Sequence, residues 1–279
     1  MFDKIKSHAK INLALNITGK SKSLHKVESI IAFVTLHDEI YIKQINKQNH
    51  QISFFGEFSK NINSKNTISK LLKILDDRNL LKKKFPIKIN KKIPIKSGLG
   101  GGSMNAANIL KYLLKKKLIK LSKKQVLKIS KSIGEDVILG LNSSCLIINS
   151  KNEVKQFKRC KNFFTLIIKP NFGCSTKDIY SRVRKFERSK LDKPKKKMFN
   201  YKLLAKMHNS LEPIALLRYP KLKKLKSFLE GLSKPLFVRM TGSGSAIVAY
   251  FHTKKDCDKS MMQFRKQYKK YWCISSKTI

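Results

Sequence analysis

The chain has 279 residues, 41% of them hydrophobic, which is enough for one large packed core or two modest ones and too little for three. No run of eighteen apolar residues occurs, so a helical membrane span is excluded, and the opening Met1-Phe2-Asp3-Lys4-Ile5-Lys6 lacks the apolar core of a secretory signal. The charge is +45, from 62 basic and 17 acidic residues. All but eight of the basic residues are lysine and they run along the whole chain, so the expectation is a field that attracts small anions, not specific nucleic-acid recognition, which leans on arginine. Five widely spaced cysteines with no Cys-x-x-Cys pair read as reduced, packing thiols of a cytoplasmic protein, without a zinc site.

From Ala9 the chain alternates strictly. Ala9, Ile11, Leu13, Leu15 and Ile17 point one way and Lys10, Asn12, Ala14 and Asn16 the other, which predicts a strand with Lys10 and Asn12 on one face. Thr18-Gly19-Lys20 begins a polar turn that runs to His25. Residues 27–33 and 39–45 read as two strands and residues 51–58 as a third, short one. Asn66-Thr67 opens a helix with Ile68, Leu71, Leu72 and Leu75 on its apolar face.

Ile87, Ile89, Ile93 and Ile95 then lead into the most informative stretch, residues 94–108. Four of the twelve glycines of the chain sit here, at Gly98, Gly100, Gly101 and Gly102, and Ala106, Ala107, Leu110 and Leu114 follow at helical spacing. Ser103 is placed to cap that helix. The order strand, glycine loop, helix N-terminus lets the backbone approach a ligand closely, and the free N–H groups and helix dipole favour phosphate. No Gly-Lys-Ser/Thr follows, which excludes a Walker A loop. Ser103 replaces the third glycine of a dinucleotide fingerprint, and no acidic residue follows before Glu135. A protein-kinase glycine loop would lead into a strand, not an alanine-rich helix. As a mere connector, four glycines in five residues would be entropically costly.

Ser122 and Gln125 form a capping box for a helix carrying Val126, Ile129 and Ile133, and Gly134 ends it. Glu135 and Asp136 follow directly. Negative charge is disfavoured at a helix C-terminus, so these carboxylates are either functional or part of an ordinary polar loop. Residues 144–148 and 163–169 read as strands around a basic connection, which places a domain boundary between 150 and 160 and gives domains of 1–155 and 156–279. Ser175 or Thr176 caps a helix with Ile179 and Val183. The lysine-rich residues 185–197 read as a mobile, solvated loop. Helices are expected at 200–208 and 211–218, and another opens at Pro220 and closes at Gly231. Strand 236–240, the turn Thr241-Gly242-Ser243-Gly244-Ser245, strand 246–251, a basic helix over 254–270 and strand 272–275 complete a ferredoxin-like β-α-β-β-α-β plan with inserted helices.

Ala9-Lys10-Ile11-Asn12-Leu13, the run from Pro94 to Ser103, and Thr241–Ser245 together resemble the three motifs of the GHMP kinase superfamily. The likeness covers essentially the full length, in the right order. It is closest to the branch acting on a cytidyl-diphosphate alcohol of the non-mevalonate isoprenoid route. That branch carries Ala-Lys-x-Asn-Leu, Gly-Tyr-His, Gly-Leu-Gly-Gly-Gly-Ser-Ser-Asn-Ala-Ala and Gly-Ala-Asp-Val-Pro. This chain has residues 9–13, Ser23-Leu24-His25, residues 98–107 with Met104, and Gly134-Glu135-Asp136-Val137-Ile138. The Gly-Glu-His of mevalonate-type kinases is absent.

The resemblance implies an α+β, two-domain fold, with an N-terminal domain like domain 2 of ribosomal protein S5 and a ferredoxin-like C-terminal domain. It implies transfer of the γ-phosphoryl of ATP to the 2-hydroxyl of the cytidyl substrate, with Asp136 as general base and Lys10 beside it. Pro94, Ile95, Lys96, Ser97, Gly98, Leu99, Gly100, Gly101, Gly102, Ser103 and Met104 would cradle the triphosphate, and Asn66 would lie on the adenosine side. Asn12, His25, Thr176, Tyr180, Gly242, Ser243 and Gly244 would meet the acceptor, with Tyr180 stacked on cytosine. Mg²⁺ would bridge phosphate oxygens near Ser103, without a dedicated carboxylate cage. The implied partner is a small molecule, with no specific nucleic acid and no membrane. Two departures stand out: Leu24 replaces the family's tyrosine, and Ile138 replaces its proline. Leu24 keeps open a related kinase acting on another alcohol, and the +45 charge keeps open a basic RNA-binding protein.

Overall fold

A computed structural model describes residues 1–21, 24–142, 144–158 and 160–279; Ser23 of the Ser23-Leu24-His25 motif lies outside the described residues. In chain order the elements are β1 (Asp3–Ser21), β2 (Leu24–Ile42), β3 (Gln51–Phe55), α1 (Thr67–Asp76), β4 (Pro86–Asn90), α2 (Gly101–Lys115), α3 (Lys123–Ile133), α4 (Val137–Gly140), β5 (Cys145–Ile148), β6 (Val154–Phe157) and β7 (Phe164–Lys169). There follow α5 (Thr176–Ser181), a 3-10 turn (Lys196–Phe199), α6 (Tyr201–Ala205), α7 (Glu212–Arg218), α8 (Pro220–Glu230), β8 (Phe237–Met240), β9 (Ile247–Phe251), α9 (Lys254–Gln267) and β10 (Trp272–Lys277). Among the described residues no helix is long and apolar enough to cross a membrane. The chain divides into two compact units. The first takes Met1–Ala9, Leu36–Ile95 and Gly100–Ser143; the second takes Lys10–Thr35, Lys96–Leu99 and Ser144–Ile279.

In the first unit β4 pairs antiparallel with the Glu39–Ile42 end of β2 and parallel with β3. The alternating isoleucines of these strands turn one face to the helices. Ile40, Ile42, Ile87 and Ile89 pack with Leu71 and Leu75 of α1, Ala106, Leu110 and Leu113 of α2, and Ile129 of α3. Each leucine or isoleucine among them contributes about 1.5–3 kcal/mol when fully buried. Asn66 caps α1, accepting from the N–H groups of Ile68 and Ser69, while Ser69 returns the bond to the Asn66 N–H. Ser122 and Gln125 cap α3 in the same reciprocal way.

The second unit holds a four-stranded antiparallel sheet in the order β10-β7-β9-β8. Numbered within the sheet this is 4-1-3-2, the ferredoxin-like order. Leu166, Ile168, Ile247 and Ala249 face Leu222, Leu225 and Leu229 of α8 and Phe264 of α9. In the same unit Ser29–Ile31 of β2 pairs with β5, and β5 pairs with β6.

Several expectations need correction. The two strands expected at 27–33 and 39–45 are one nineteen-residue strand, β2. Asp38, which falls between the two expected strands, is wholly buried within it. Its carboxylate accepts from Lys91 Nζ, from the N–H groups of Lys92 and Ile93, and from Asn105 Nδ2, so the strand continues through it. Ser103 does not cap α2: Gly100, at φ 72°, is the N-cap residue, and the helix begins at Gly101, which puts Ser103 inside its first turn. Gly134 does end α3, as expected, though in an extended conformation, at φ 172°. The basic helix near the end stops at Gln267, not at 270. The short strand β6 was not expected, since its four residues offer only two half-buried apolar positions, Val154 and Phe157. Finally, residues 185–191 are tied down. Glu28, wholly buried on β2, accepts from the Ser189 hydroxyl and from the N–H groups of Lys190 and Leu191.

Candidate active site

In the second unit three stretches that are far apart in sequence meet. Lys10 and Asn12 share the polar face of β1, as the alternation requires, and both are only 4% exposed. Lys10 Nζ donates to Asn12 Oδ1 at 2.8 Å, and Asn12 Nδ2 donates to the Ser29 hydroxyl at 2.8 Å. The Asn12 N–H donates to Thr241 Oγ1 at 3.0 Å, and the Lys10 N–H donates to the Leu99 carbonyl at 3.0 Å. The Ala246 N–H donates to the Ser97 carbonyl at 3.1 Å. Residues 97–99 are therefore laced to β1 on one side and to the 241–246 turn on the other.

That lacing explains two of the glycines. Gly98 has φ +78°, and a Cβ there would lie 2.1 Å from the Thr241 carbonyl oxygen. Gly242 has φ +56°, and a Cβ there would lie 3.6 Å from Lys10 Nζ, so the ammonium faces the bare backbone of the turn. A left-handed φ strains any side-chain-bearing residue, and the clash adds to it. Gly98→Ala is expected to lower stability by at least ~1–3 kcal/mol and to depress turnover with it. Gly231→Ala, at φ −80° with its nearest atom 3.5 Å from the new Cβ, should leave both near the parent values. Paired thermal melts check this, and equal melting of the two variants would refute it.

Thr176 Oγ1 and Ser243 Oγ lie 2.8 Å apart, which joins the start of α5 to the same turn. Ser175, not Thr176, caps α5, so the Thr176 hydroxyl is not used as a cap. The His25 ring lies 5.2 Å from that of Tyr180 and 6.4 Å from that of Phe186, both tilted. Burial and the nearby Lys20 hold the His25 imidazole below its ordinary pKa, which favours the neutral ring. Leu24 beside it is 61% exposed. Gly244, at φ +83°, packs against Met240 and Cys174, where a Cβ would lie 2.7 and 3.2 Å from their sulfurs.

In the first unit the N-terminus of α2 carries the rest of the glycine motif. Its N-cap is a glycine, so no side chain caps the helix, and its first-turn N–H groups meet no side-chain cap. Gly101 and Met104 are buried, Ser103 half-buried and Gly102 exposed. Thr67 Oγ1 donates to the Gly102 carbonyl at 2.8 Å, so the start of α1 abuts the start of α2. The side chain of Asn66 is occupied by its cap: Oδ1 accepts twice, and Nδ2 donates to the carbonyls of Asn63 and Ser64. Asp136 is half-buried at the head of α4, and its carboxylate does not cap that helix. α4 is pressed on α2 at Gly140, where a Cβ would lie 2.6 Å from Ala107 Cβ. Of the remaining motif residues, Pro94 and Ser97 are buried, Ile95 is half-buried, and Lys96 is exposed with φ +50°.

One feature of this helix start has no sequence signature. A Cβ on Gly101 would sit 3.1 Å from Lys91 Nζ, so the buried Lys91–Asp38 ion pair lies directly against the first residue of α2. The only available hint is an aspartate inside an apolar strand. Cavities of about 300 and 380 Å³ in the second unit contain none of the residues above. The second unit offers glycine turns and a buried ammonium, and the first unit an uncapped helix end; each by itself suits a phosphorylated group.

Comparison with known proteins is consistent with this chemistry. The pattern of the GHMP kinases N terminal domain matches residues 66–147. The chain is 55% identical over 277 residues to a 4-diphosphocytidyl-2-C-methyl-D-erythritol kinase of Pelagibacter ubique (strain HTCC1062), with 99% of each chain covered. It is 34% identical over 261 residues to a protein of the same name from Buchnera aphidicola subsp. Schizaphis graminum (strain Sg), covering 91% of this chain and 86% of that one. A crystal structure of 4-(cytidine 5'-diphospho)-2C-methyl-D-erythritol kinase is similar with a TM-score of 0.79, 21% identity and 99% of both chains covered. Homoserine kinase from Cytophaga hutchinsonii ATCC 33406 is similar at 0.71 and 17%, over 99% of this chain and 95% of that one. The last two are likenesses of fold.

Proposed function

The chain belongs to the 4-diphosphocytidyl-2-C-methyl-D-erythritol kinase family, within the GHMP kinases, and from that premise we propose its reaction. It transfers the γ-phosphoryl group of ATP to the 2-hydroxyl of 4-diphosphocytidyl-2-C-methyl-D-erythritol. Its fold is the α+β, two-domain fold of that superfamily. The observation that carries the reading is the meeting of Lys10, Asn12, residues 97–99 and the 241–246 turn around a buried ammonium.

In this reading phosphoryl transfer is mostly positioning and charge stabilisation. Asp136 accepts the proton of the attacking hydroxyl. Lys10, steered by its bond to Asn12, stabilises negative charge on the attacking oxygen. Residues 94–104 hold the triphosphate, with the uncapped first-turn N–H groups of α2 as donors. Asn66 meets the adenosine side by giving up one of its cap bonds. On the acceptor side, the Thr176 and Ser243 hydroxyls and the backbone of Gly242 and Gly244 orient the substrate, while His25 and Tyr180 take the cytosine. Among the described residues no three His, Cys, Asp or Glu side chains cluster as a metal site. The donors present fit a Mg²⁺ held through phosphate oxygens and water, with Ser103 close by, and when bound that ion neutralises charge on the phosphates.

The test is direct. Purified protein with ATP and the cytidyl substrate should yield ADP and the 2-phosphorylated product, identified by mass and phosphorus NMR. Exposed Leu24 at the acceptor end favours one second reading, a kinase of another alcohol. A panel of alcohol acceptors decides between them, and a clear preference for a non-cytidyl acceptor would reject the first.

A further inference from the structure

Phe186 is a large apolar side chain that the assignments above leave without a role. It is 49% exposed, and it lies in a segment whose composition predicts a free, solvated loop. The segment is nevertheless anchored residue by residue immediately after Phe186. The Glu187 N–H donates to the Ile17 carbonyl at 2.9 Å. The Glu187 carboxylate is met by the Ser210 hydroxyl and by His208 Nε2, the latter at 2.7 Å. Glu28 then takes the Ser189 hydroxyl at 2.8 Å, the Lys190 N–H at 2.8 Å and the Leu191 N–H at 3.0 Å, while Asn16 Nδ2 holds the same carboxylate at 2.8 Å. Leu191 plugs the core at 1% exposure.

A wholly buried carboxylate with four donors is an expensive way to fix a surface loop. It gains a purpose if the loop must present something in a set position. What stands at its leading end is the Phe186 ring, 6.4 Å from His25, which in turn is 5.2 Å from Tyr180. Two aromatic rings thus lie beside an imidazole held toward its neutral form, and the Phe186 ring is half-exposed. Such a cluster suits a planar, polar heteroaromatic ring: faces for stacking, and one hydrogen-bonding group for its edge. Leu24, the neighbour of His25 in sequence, offers no ring.

We propose that Phe186 is a specificity-determining residue for the acceptor, its ring forming one stacking face for the pyrimidine base, and that Glu28 is the positioning residue that holds it there. The proposal rests on the cytidyl-acceptor reading above. Stacking on one aromatic ring corresponds to about 5- to 150-fold in binding.

The experiment uses the full-length protein and measures binding of cytidine diphosphate by calorimetry, without ATP, beside steady-state kinetics. Phe186→Ala is expected to weaken cytidine diphosphate binding and raise the acceptor KM by about 5- to 150-fold. The KM for ATP, kcat at saturating acceptor and the melting temperature should stay near the parent values, and Phe186→Tyr should restore binding. Glu28→Gln, which replaces an accepting oxygen by an amide nitrogen, should raise the acceptor KM in the parent but add little to Phe186→Ala. If the parent binds cytidine diphosphate and Phe186→Ala binds it equally well, the role of Phe186 is overturned while the reaction stands. If the parent does not bind it at all, the cytidyl reading itself fails. A Glu28→Gln effect that adds in full to Phe186→Ala removes Glu28 as its positioning residue.

Discussion

Asp136→Asn should lower kcat by about 10²–10⁴-fold, the usual contribution of a general base. The substitution keeps shape and hydrogen-bonding size while removing the group that accepts the proton. Its carboxylate does not cap α4, which is seated on α2 through Gly140 and Ala107. Single-turnover measurements with saturating substrates read the chemical step directly. An unaltered rate would remove Asp136 from the mechanism without touching the family assignment.

Lys91→Met should cost about 3–5 kcal/mol in unfolding free energy, because it strands a wholly buried carboxylate without its cation. Asp38 would keep the two backbone N–H donors and Asn105, which compensate only in part for a missing charge. The effect should also reach the nucleotide, since Lys91 lies against the first residue of α2, so the KM for ATP should rise in whatever fraction stays folded. Adding Asp38→Asn to Lys91→Met should recover part of the loss, a sub-additive pair. Urea unfolding of the parent, both single variants and the double variant checks it. A Lys91→Met protein as stable as the parent would show the pair to be dispensable.

The parts of the fold that were legible are those where one local rule settles the outcome. The helix opened at Asn66-Thr67, the capping box at Ser122 and the Pro220–Gly231 helix sit where their signatures place them. The 4-1-3-2 sheet follows from strands whose order the turns already announce. Local rules failed where a distant partner decides. Asp38 falls in a gap between two expected strands until Lys91 and Asn105, 53 and 67 positions away, are known to hold it. The lysines of 185–197 read as a free loop because Glu28, more than 150 residues earlier, carries no mark of its role. Nor does the alternation of β1 reveal that its residues divide between two compact units after Ala9. In the candidate site the motif residues were legible through resemblance. The Thr67 contact with Gly102 and the ring of Phe186 were not, because neither belongs to a spaced motif.

The bonds that lace β1 to the far end of the chain also set a timetable. Asn12 waits for Thr241, Leu13 for Arg239, and Leu15 for His208 and Ser210. A ribosome adding about 5–20 residues per second needs roughly 10–50 s to bring those partners into existence. Throughout that interval an apolar strand face built from Leu13, Leu15 and Ile17 is made but unfinished. The nascent second unit should therefore depend on shielding during translation, and slow synthesis should lower its soluble yield more than that of a unit whose contacts are local.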